Sequence, residues 1–378
     1  MYNNANPMEE LSIQAAGIII CFYQTINTKQ KNTKQARIKF IFIQKGFFMN
    51  ILVIFTGGTI ASCENDGFLA PNEATKKKLL ALYEKKNSKT IEKHNISFDS
   101  ISPYQILSEN LDAHYINQLV ACIKSILIKK CARKETSALD FSSEKAAYHI
   151  AQEKSYDGII VTHGTDTLQY TAAALGLCFR NTSIPILLVS SNYILSNSRA
   201  NGLANFTAAV EYICEKKEAG VFVSYANQGQ PAAMYPATKL FAHLPYSDEL
   251  YTTEDLIDIN TFDDHAQDID FASISLCEQS PVLFFHAMPG QIYPTLTDNL
   301  KAIIIESYHS GTLCTAGSSL KSFCENAFAK KIPMYLVGVE DRTAYESTKA
   351  YEELHIKVLP KSSPITAYML AWYLYSRK

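Results

Sequence analysis

The sequence predicts an α/β protein of two domains: a larger N-terminal domain on a mostly parallel, doubly wound sheet, and a smaller C-terminal α/β domain. Three observations carry that expectation. Wholly apolar runs such as Ile51-Leu52-Val53-Ile54-Phe55 have the length of strands, and a parallel strand needs cover on both faces. These runs alternate with helical patterns, the order expected of βαβ units with right-handed crossovers. At 378 residues, 47% hydrophobic and 19% charged, the chain is also long enough for two domains of ordinary size.

The first 48 residues fit this pattern poorly. Ala15 to Tyr23 is apolar, but it is too short to span a bilayer and follows Glu9 and Glu10 rather than a positive segment. Lys29 to Lys39 is a basic, mostly polar run of the kind that is usually solvated. Met49 lies two residues before the first core strand. Residues 1–48 are therefore expected to be an extension outside the fold, either non-native or disordered.

From Ile51 the elements follow in order. A turn at Gly57-Gly58-Thr59 leads to a loop, Cys63 to Pro71, in which Asn65, Asp66, Gly67 and Pro71 are breakers. Leu79, Leu80, Leu82 and Tyr83 mark a helix. A short apolar segment, Ile106-Leu107, then runs into polar residues, and Asp112 caps a helix reaching about Lys130. Another helix begins at Ser142 or Ser143 with Glu144. Strands are expected at Ile159 to Thr162, Ile186 to Val189 and Val221 to Ser224, with helices at Leu168 to Arg180 and Arg199 to Lys217.

Acidic residues then concentrate while apolar periodicity fades, which places an interdomain linker at 246–270 between domains at 49–245 and 271–378. The C-terminal part predicts strands at Val282 to His286, Ala302 to Ile305 and Met334 to Val337. Its helices fall at about Ser318 to Lys330, Thr343 to Leu354 and Pro364 to Tyr375, the last with Ser363 as N-cap and Pro364 at the first helical position.

Charge narrows the partners. A formal net charge of -2 and an isoelectric point near 6.5 provide no basic field for nucleic acid and no attraction to acidic lipid, so a small-molecule substrate is expected. Nine cysteines, Cys21, Cys63, Cys122, Cys131, Cys178, Cys214, Cys277, Cys314 and Cys324, form an odd set without a Cys-x-x-Cys pair. Reduced thiols in a cytoplasmic protein are the expectation, with no metal and no cofactor.

Chemistry is expected where two strands end. After Phe55, two glycines let the backbone turn sharply and admit a ligand close to its amides, and Thr59 stands at the carboxyl end of the strand, where open α/β sheets bind ligands. A glycine turn of this kind equally serves to cradle a phosphate or to close a βα connection. Asp157-Gly158-Ile159-Ile160-Val161-Thr162-His163-Gly164-Thr165-Asp166-Thr167 repeats the arrangement, with Thr165 and Thr167 also placed to cap the next helix.

Together these turns resemble the paired signatures of the bacterial L-asparaginase/glutaminase family, threonine-nucleophile amidohydrolases. The resemblance extends to Leu188-Val189-Ser190-Ser191-Asn192-Tyr193, Arg199-Ala200-Asn201-Gly202, Ala237-Thr238-Lys239 and Ala302 to Tyr308, and covers residues 49–378. It implies that Thr59 attacks and forms an acyl-enzyme, and that Thr165, Asp166 and Lys239 form a second catalytic group. It also implies that Gly58, Ser108, Glu109, Gly164, Thr165 and Asp166 bind the substrate. The implied reaction is hydrolysis of L-asparagine to L-aspartate and ammonia by a cytoplasmic homodimer or homotetramer. The alternatives are a glutaminase, an ammonia-donating amidotransferase component, or a non-hydrolytic amino-acid sensor on the same fold.

Other positions are read more plainly. His163 is expected to be packed and hydrogen-bonded rather than a base, Arg199 to pair with the loop carrying Asn192, and Cys63 to act as a small hydrophobe. His309 departs from the glycine-rich pattern often seen at its position. Phe68 stands where many family members carry a tyrosine on a mobile loop, so an apolar lid without a hydroxyl is expected there.

Overall fold

A computed structural model of the chain describes residues 18–25, 36–43, 48–128, 154–254, 256–339, 345–360 and 362–377. The strands are β1 (Ile18–Thr25), β2 (Ala36–Ile43), β3 (Met49–Phe55), β4 (Ser62–Asn65), β5 (Phe68–Pro71), β6 (Ile96–Ile101), β7 (Gly158–Thr162), β8 (Pro185–Val189), β9 (Gly220–Tyr225), β10 (Ala233–Pro236), β11 (Val282–His286), β12 (Ala302–Glu306), β13 (Met334–Val339) and β14 (Ile356–Pro360). The helices are α1 (Glu73–Lys86), α2 (Ser88–His94), α3 (Ala113–Leu127), α4 (Leu168–Cys178), α5 (Gly202–Cys214), α6 (Ser318–Ala329), α7 (Ala350–Glu353) and α8 (Pro364–Ser376).

Six strands form the larger sheet in the order β10-β9-β8-β7-β3-β6, parallel except at β10, and four parallel strands form the smaller one in the order β11-β12-β13-β14. The chain leaves β3 for β6 on one side and returns to β7 on the other. The sheet therefore reverses its winding between β3 and β7, and such a switch point opens a crevice beyond the carboxyl ends of the two strands.

Alternation along β3 builds the layers. Ile51, Val53 and Phe55 pack with Leu79 and Tyr83 of α1 and Phe206 and Val210 of α5, whereas Leu52 and Ile54 face a core shared with α3 and α4. That second core continues through Ile365, Leu370 and Tyr373 of α8 to Ile304 and Tyr335 of the smaller sheet, so the two sheets rest against one continuous apolar layer. The other face of the smaller sheet packs Ile303, Ile305 and Leu336 against Leu320 and Phe323 of α6.

Helix starts follow local chemistry. The Asp112 carboxylate accepts from the Tyr115 N–H to cap α3, and Ser363 Oγ accepts from the Thr366 N–H ahead of Pro364 at α8, as expected. The start of the helix anticipated at Ser142 or Ser143 with Glu144, and the beginning of the one anticipated from Thr343, lie outside the described residues. Among the described residues no helix is long and apolar enough to cross a membrane.

Several elements were not anticipated. Residues 63–71, expected as a loop, are mostly a hairpin of β4 and β5. Strands β6, β10 and β14 are additional, and all three lie at sheet edges, where short and half-covered strands carry little apolar patterning. Within the first 48 residues, β1 and β2 pair antiparallel as a two-stranded ladder that joins neither larger sheet.

Candidate active site

Thr56 follows β3 and ties its end to β7, its hydroxyl donating to the Thr162 carbonyl at 2.6 Å. Beyond it the chain takes two residues in the left-handed half of backbone space, Gly57 at φ 110° and Gly58 at φ 75°. Side chains are excluded there by space as well as by conformation. A Cβ on Gly57 would lie 2.1 Å from the Ile106 carbonyl oxygen, and one on Gly58 would lie 2.2 Å from the Gly164 nitrogen. Gly164 closes the contact, since its own Cβ would meet Ser108 Oγ at 2.3 Å. Three chain segments thus converge at the switch point through three glycine or serine contacts.

Hydrogen bonds fix that convergence. The Ile106 N–H donates to the Thr56 carbonyl and the Gly58 N–H to the Ile106 carbonyl, both at 3.0 Å. Thr167 Oγ1 donates to the Ser108 carbonyl at 2.8 Å, and Ser108 Oγ to Asp166 Oδ2 at 3.4 Å. Because the Gly58 N–H is committed to Ile106, this residue contributes close backbone approach rather than a donor. Among the described residues, the N–H groups of Thr59, Gly164 and Thr165 have no acceptor, and the Thr59 and Thr165 hydroxyls make no hydrogen bond. Thr59 opens a short 3-10 turn and is half-buried at the crevice.

His163 is fully built into the second turn. Its Nδ1 lies 2.8 Å from the Gly164 carbonyl and its Nε2 2.8 Å from Thr171 Oγ1. A carbonyl only accepts, so Nδ1 carries the proton and Nε2 accepts from the threonine hydroxyl. Burial pushes the imidazole down to about 4, against a smaller opposing effect of the Gly164 carbonyl, and the ring is neutral near pH 7. The expectation of a packed histidine is borne out.

The structure thus brings Gly58, Thr59, Ser108, Gly164, Thr165 and Asp166 to one crevice. Asp166 and Glu109 are exposed, and Glu109 has no partner among the described residues. Lys239 is not joined to Asp166: its Nζ donates to the Glu254 carbonyl, on a 3-10 turn that packs beside α4. The Arg199 guanidinium lies 4.4 Å from the centroid of Tyr193, next to Asn192, which exchanges backbone-to-side-chain bonds with Asn201.

Two participants escaped sequence reasoning. Thr167, read as a helix cap, makes no such cap and instead holds Ser108 in place. His243 lies within electrostatic reach of Asp166 and Asp248, and burial lowers its proton affinity more than the carboxylates raise it. Nothing in its local sequence marks it. A hydroxyl, a carboxylate and unengaged N–H groups at one crevice suit attack on a carbonyl with stabilisation of the resulting oxyanion.

The family model "Asparaginase, N-terminal" matches residues 136–242, a stretch that contains Thr165, Asp166 and Lys239. An L-asparaginase of Thermococcus kodakarensis is 36% identical over 73 residues, 19% of this chain and 22% of that protein. A glutamyl-tRNA(Gln) amidotransferase subunit of the same organism is 28% identical over 221 residues, 57% of this chain and 42% of that one. The chain thus spans less than half the length of these curated relatives. Among solved structures, the thermostable L-asparaginase from Thermococcus kodakarensis superposes with a TM-score of 0.59 at 17% identity, covering 85% of this chain and 91% of that one. A probable cytoplasmic L-asparaginase from Campylobacter jejuni gives 0.56 at 17%, covering 87% and 96%. The similarity to these structures is one of fold.

Proposed function

We propose that this chain, which carries an asparaginase N-terminal domain within the two-domain asparaginase fold, hydrolyses the side-chain amide of L-asparagine to L-aspartate and ammonia. The carrying observation is the Thr59 hydroxyl, free of hydrogen bonds among the described residues, at the crevice where Gly58, Gly164 and Ser108 meet. Thr59 Oγ1 adds to the side-chain carbonyl carbon, and the N–H groups of Thr59, Gly164 and Thr165 are the available donors for the oxyanion. The hydroxyl proton passes to the departing nitrogen, the C–N bond breaks and ammonia leaves. Water then adds to the threonine ester, releasing aspartate and restoring the hydroxyl.

In this reading Ser108, Glu109 and Asp166 hold the α-carboxylate and α-ammonium of the substrate, and neutral His163 keeps the second turn rigid. Lys239, with Thr165, is the activating cation once its amine leaves the Glu254 carbonyl. The enzyme works in the cytoplasm as a homo-oligomer, without nucleic acid, membrane or cofactor. Ammonia release measured separately with L-asparagine and L-glutamine tests the reading. Turnover of asparagine well above glutamine is the expected result, and release from neither overturns it.

A second reading rests on the sequence similarity to the glutamyl-tRNA(Gln) amidotransferase protein, which extends over 57% of this chain against 19% for the L-asparaginase of the same organism. In it the same crevice releases ammonia for a partner protein. Ammonia release that depends on an added amidotransferase partner would favour it.

A further inference from the structure

A second cavity, of about 630 Å³, lies between the two sheets, where the N-terminal ends of α3 and α4 face β11 and α8. Four aromatic side chains, Tyr170, Phe284, Tyr368 and Trp372, stand among aliphatic ones in its lining. Tyr368 is edge-on to Tyr170 at 6.3 Å, Phe284 lies 6.1 Å from Tyr368, and Trp372 lies 5.7 Å from it. Two carboxylates, Asp112 and Glu278, line the same space. The candidate active site shares one wall with it at Thr167, but no residue proposed to react belongs to it.

The chain holds this cavity in shape. Asn117 of α3 exchanges two hydrogen bonds with the Leu276 backbone, at 2.9 and 2.8 Å. Trp372 Nε1 donates to the Cys277 carbonyl at 3.2 Å, and the Cys277 N–H donates to Ser376 Oγ at 3.1 Å. The backbone before Glu278 is thereby pinned between α3 and α8. Asp112 is fixed by its cap on α3, which uses one carboxylate oxygen and leaves the other free.

Charge decides what fits. Among the described residues, neither Asp112 nor Glu278 has a basic partner. The faces of the aromatic rings are themselves electron-rich, so carboxylates and rings act in the same direction and favour a cation with an apolar body. The volume lies within the range of small-molecule sites, and an apolar lining with a few polar groups is their usual composition.

We propose that this cavity is a binding site for a small organic cation, an ammonium group on an aromatic or aliphatic body, with the charge between Asp112 and Glu278 and the body against Tyr170, Phe284, Tyr368 and Trp372. Such a ligand is distinct in charge and in place from an amino-acid amide at Thr59. The proposal does not depend on hydrolysis.

Benzylammonium and its neutral counterpart benzyl alcohol are the probes, titrated calorimetrically and by thermal melting into the full chain. Benzylammonium is expected to bind at least about tenfold more tightly than the alcohol, a difference of roughly 1.4 kcal/mol. Glu278→Gln removes one charge at an exposed position, and Asp112→Asn removes the other while keeping a good helix cap. Each should weaken the cation by several-fold or more, leave benzyl alcohol unchanged, and leave the melting temperature without probe near that of the parent. Equal affinity for the two probes would reduce the site to an apolar cleft and overturn the proposal. So would benzylammonium binding that survives both substitutions, or absence of binding in a dimer that covers Trp372, which would assign the face to a second copy of the chain.

Discussion

The two turns that meet at the crevice have nearly the same sequence, Thr56-Gly57-Gly58-Thr59 and Thr162-His163-Gly164-Thr165, yet they are held differently. In the second turn the histidine is 2% exposed and both ring nitrogens are bonded within the protein. In the first, a glycine replaces the histidine, the backbone enters left-handed space, and the chain runs through Thr59 into a hairpin whose Phe68 is 78% exposed. The second turn is a fixed wall against which the first positions a free hydroxyl. In the proposed reaction rigidity is needed on only one side, and the side proposed to carry the attacking hydroxyl is the half-buried one.

The strongest way to break this contrast is to remove the hydroxyl from the open turn. Thr59→Ala should lower asparagine turnover about a thousandfold or more while leaving aspartate binding measurable by calorimetry. Lys239→Met should fall as far if its amine moves to the catalytic group. Near-normal turnover in that variant would leave Lys239 as the partner of the Glu254 carbonyl that it is in the structure.

Forcing the turns apart comes next. Gly58→Ala or Gly164→Ala places a methyl 2.2 to 2.3 Å from atoms of the facing segment, so a loss of roughly 3 kcal/mol of stability is expected by urea denaturation. Gly67→Ala provides the control. That glycine also has positive φ, 80°, but an added Cβ meets nothing within 4 Å, so only the conformational strain of about 1 kcal/mol should appear.

The rigid turn can be loosened with acid. The imidazole of His163 has its proton affinity lowered from 6.5 to about 4 by burial. Between those values the unfolded chain binds a proton that the folded chain does not. Stability therefore rises with pH through this window and falls as pH drops from 6.5 toward 4, by a few kcal/mol at most. Denaturation at pH 7 and pH 4.5 should show a smaller difference for His163→Gln than for the parent. An identical difference would mean that the ring does not stay neutral when folded.

The smallest effect belongs to the open side. If the hairpin closes over substrate, Phe68 excludes water there, and Phe68→Ala should lower turnover by about tenfold or less while Phe68→Tyr stays near the parent value. Unchanged turnover in the alanine variant would remove residue 68 from the closed site.

Central strands were legible, and of the edge strands in the two larger sheets only β11 was. β3 from Ile51 onward, β7 and β8 are buried, so their sequences are mostly apolar runs, and the glycine turns that follow two of them stand out. β6 reads Ile-Ser-Phe-Asp-Ser-Ile because one of its long sides has no neighbour and its faces are only half covered. β14 is short and lies at the far edge of the smaller sheet. The hairpin at 62–71 was hidden by Asn65, Asp66 and Gly67, which mark a turn without saying that strands flank it.

By itself the sequence determined the α/β class, the strand ends at Phe55 and Thr162, the caps at Asp112 and Ser363, and the set of hydroxyls and carboxylates near Thr59 and Thr165. These are local matters, decided by periodicity, turn chemistry and capping within a few residues. Tertiary structure alone decided that Gly58, Gly164 and Ser108 touch, that Thr167 holds Ser108, that the Lys239 amine rests on Glu254, and that Asp112 and Glu278 line the same cavity. Contacts of that kind join residues 50 or more positions apart or depend on which rotamer a long side chain adopts. They follow from the winding of the sheet and the packing of α8 against α4, which no short window of sequence contains.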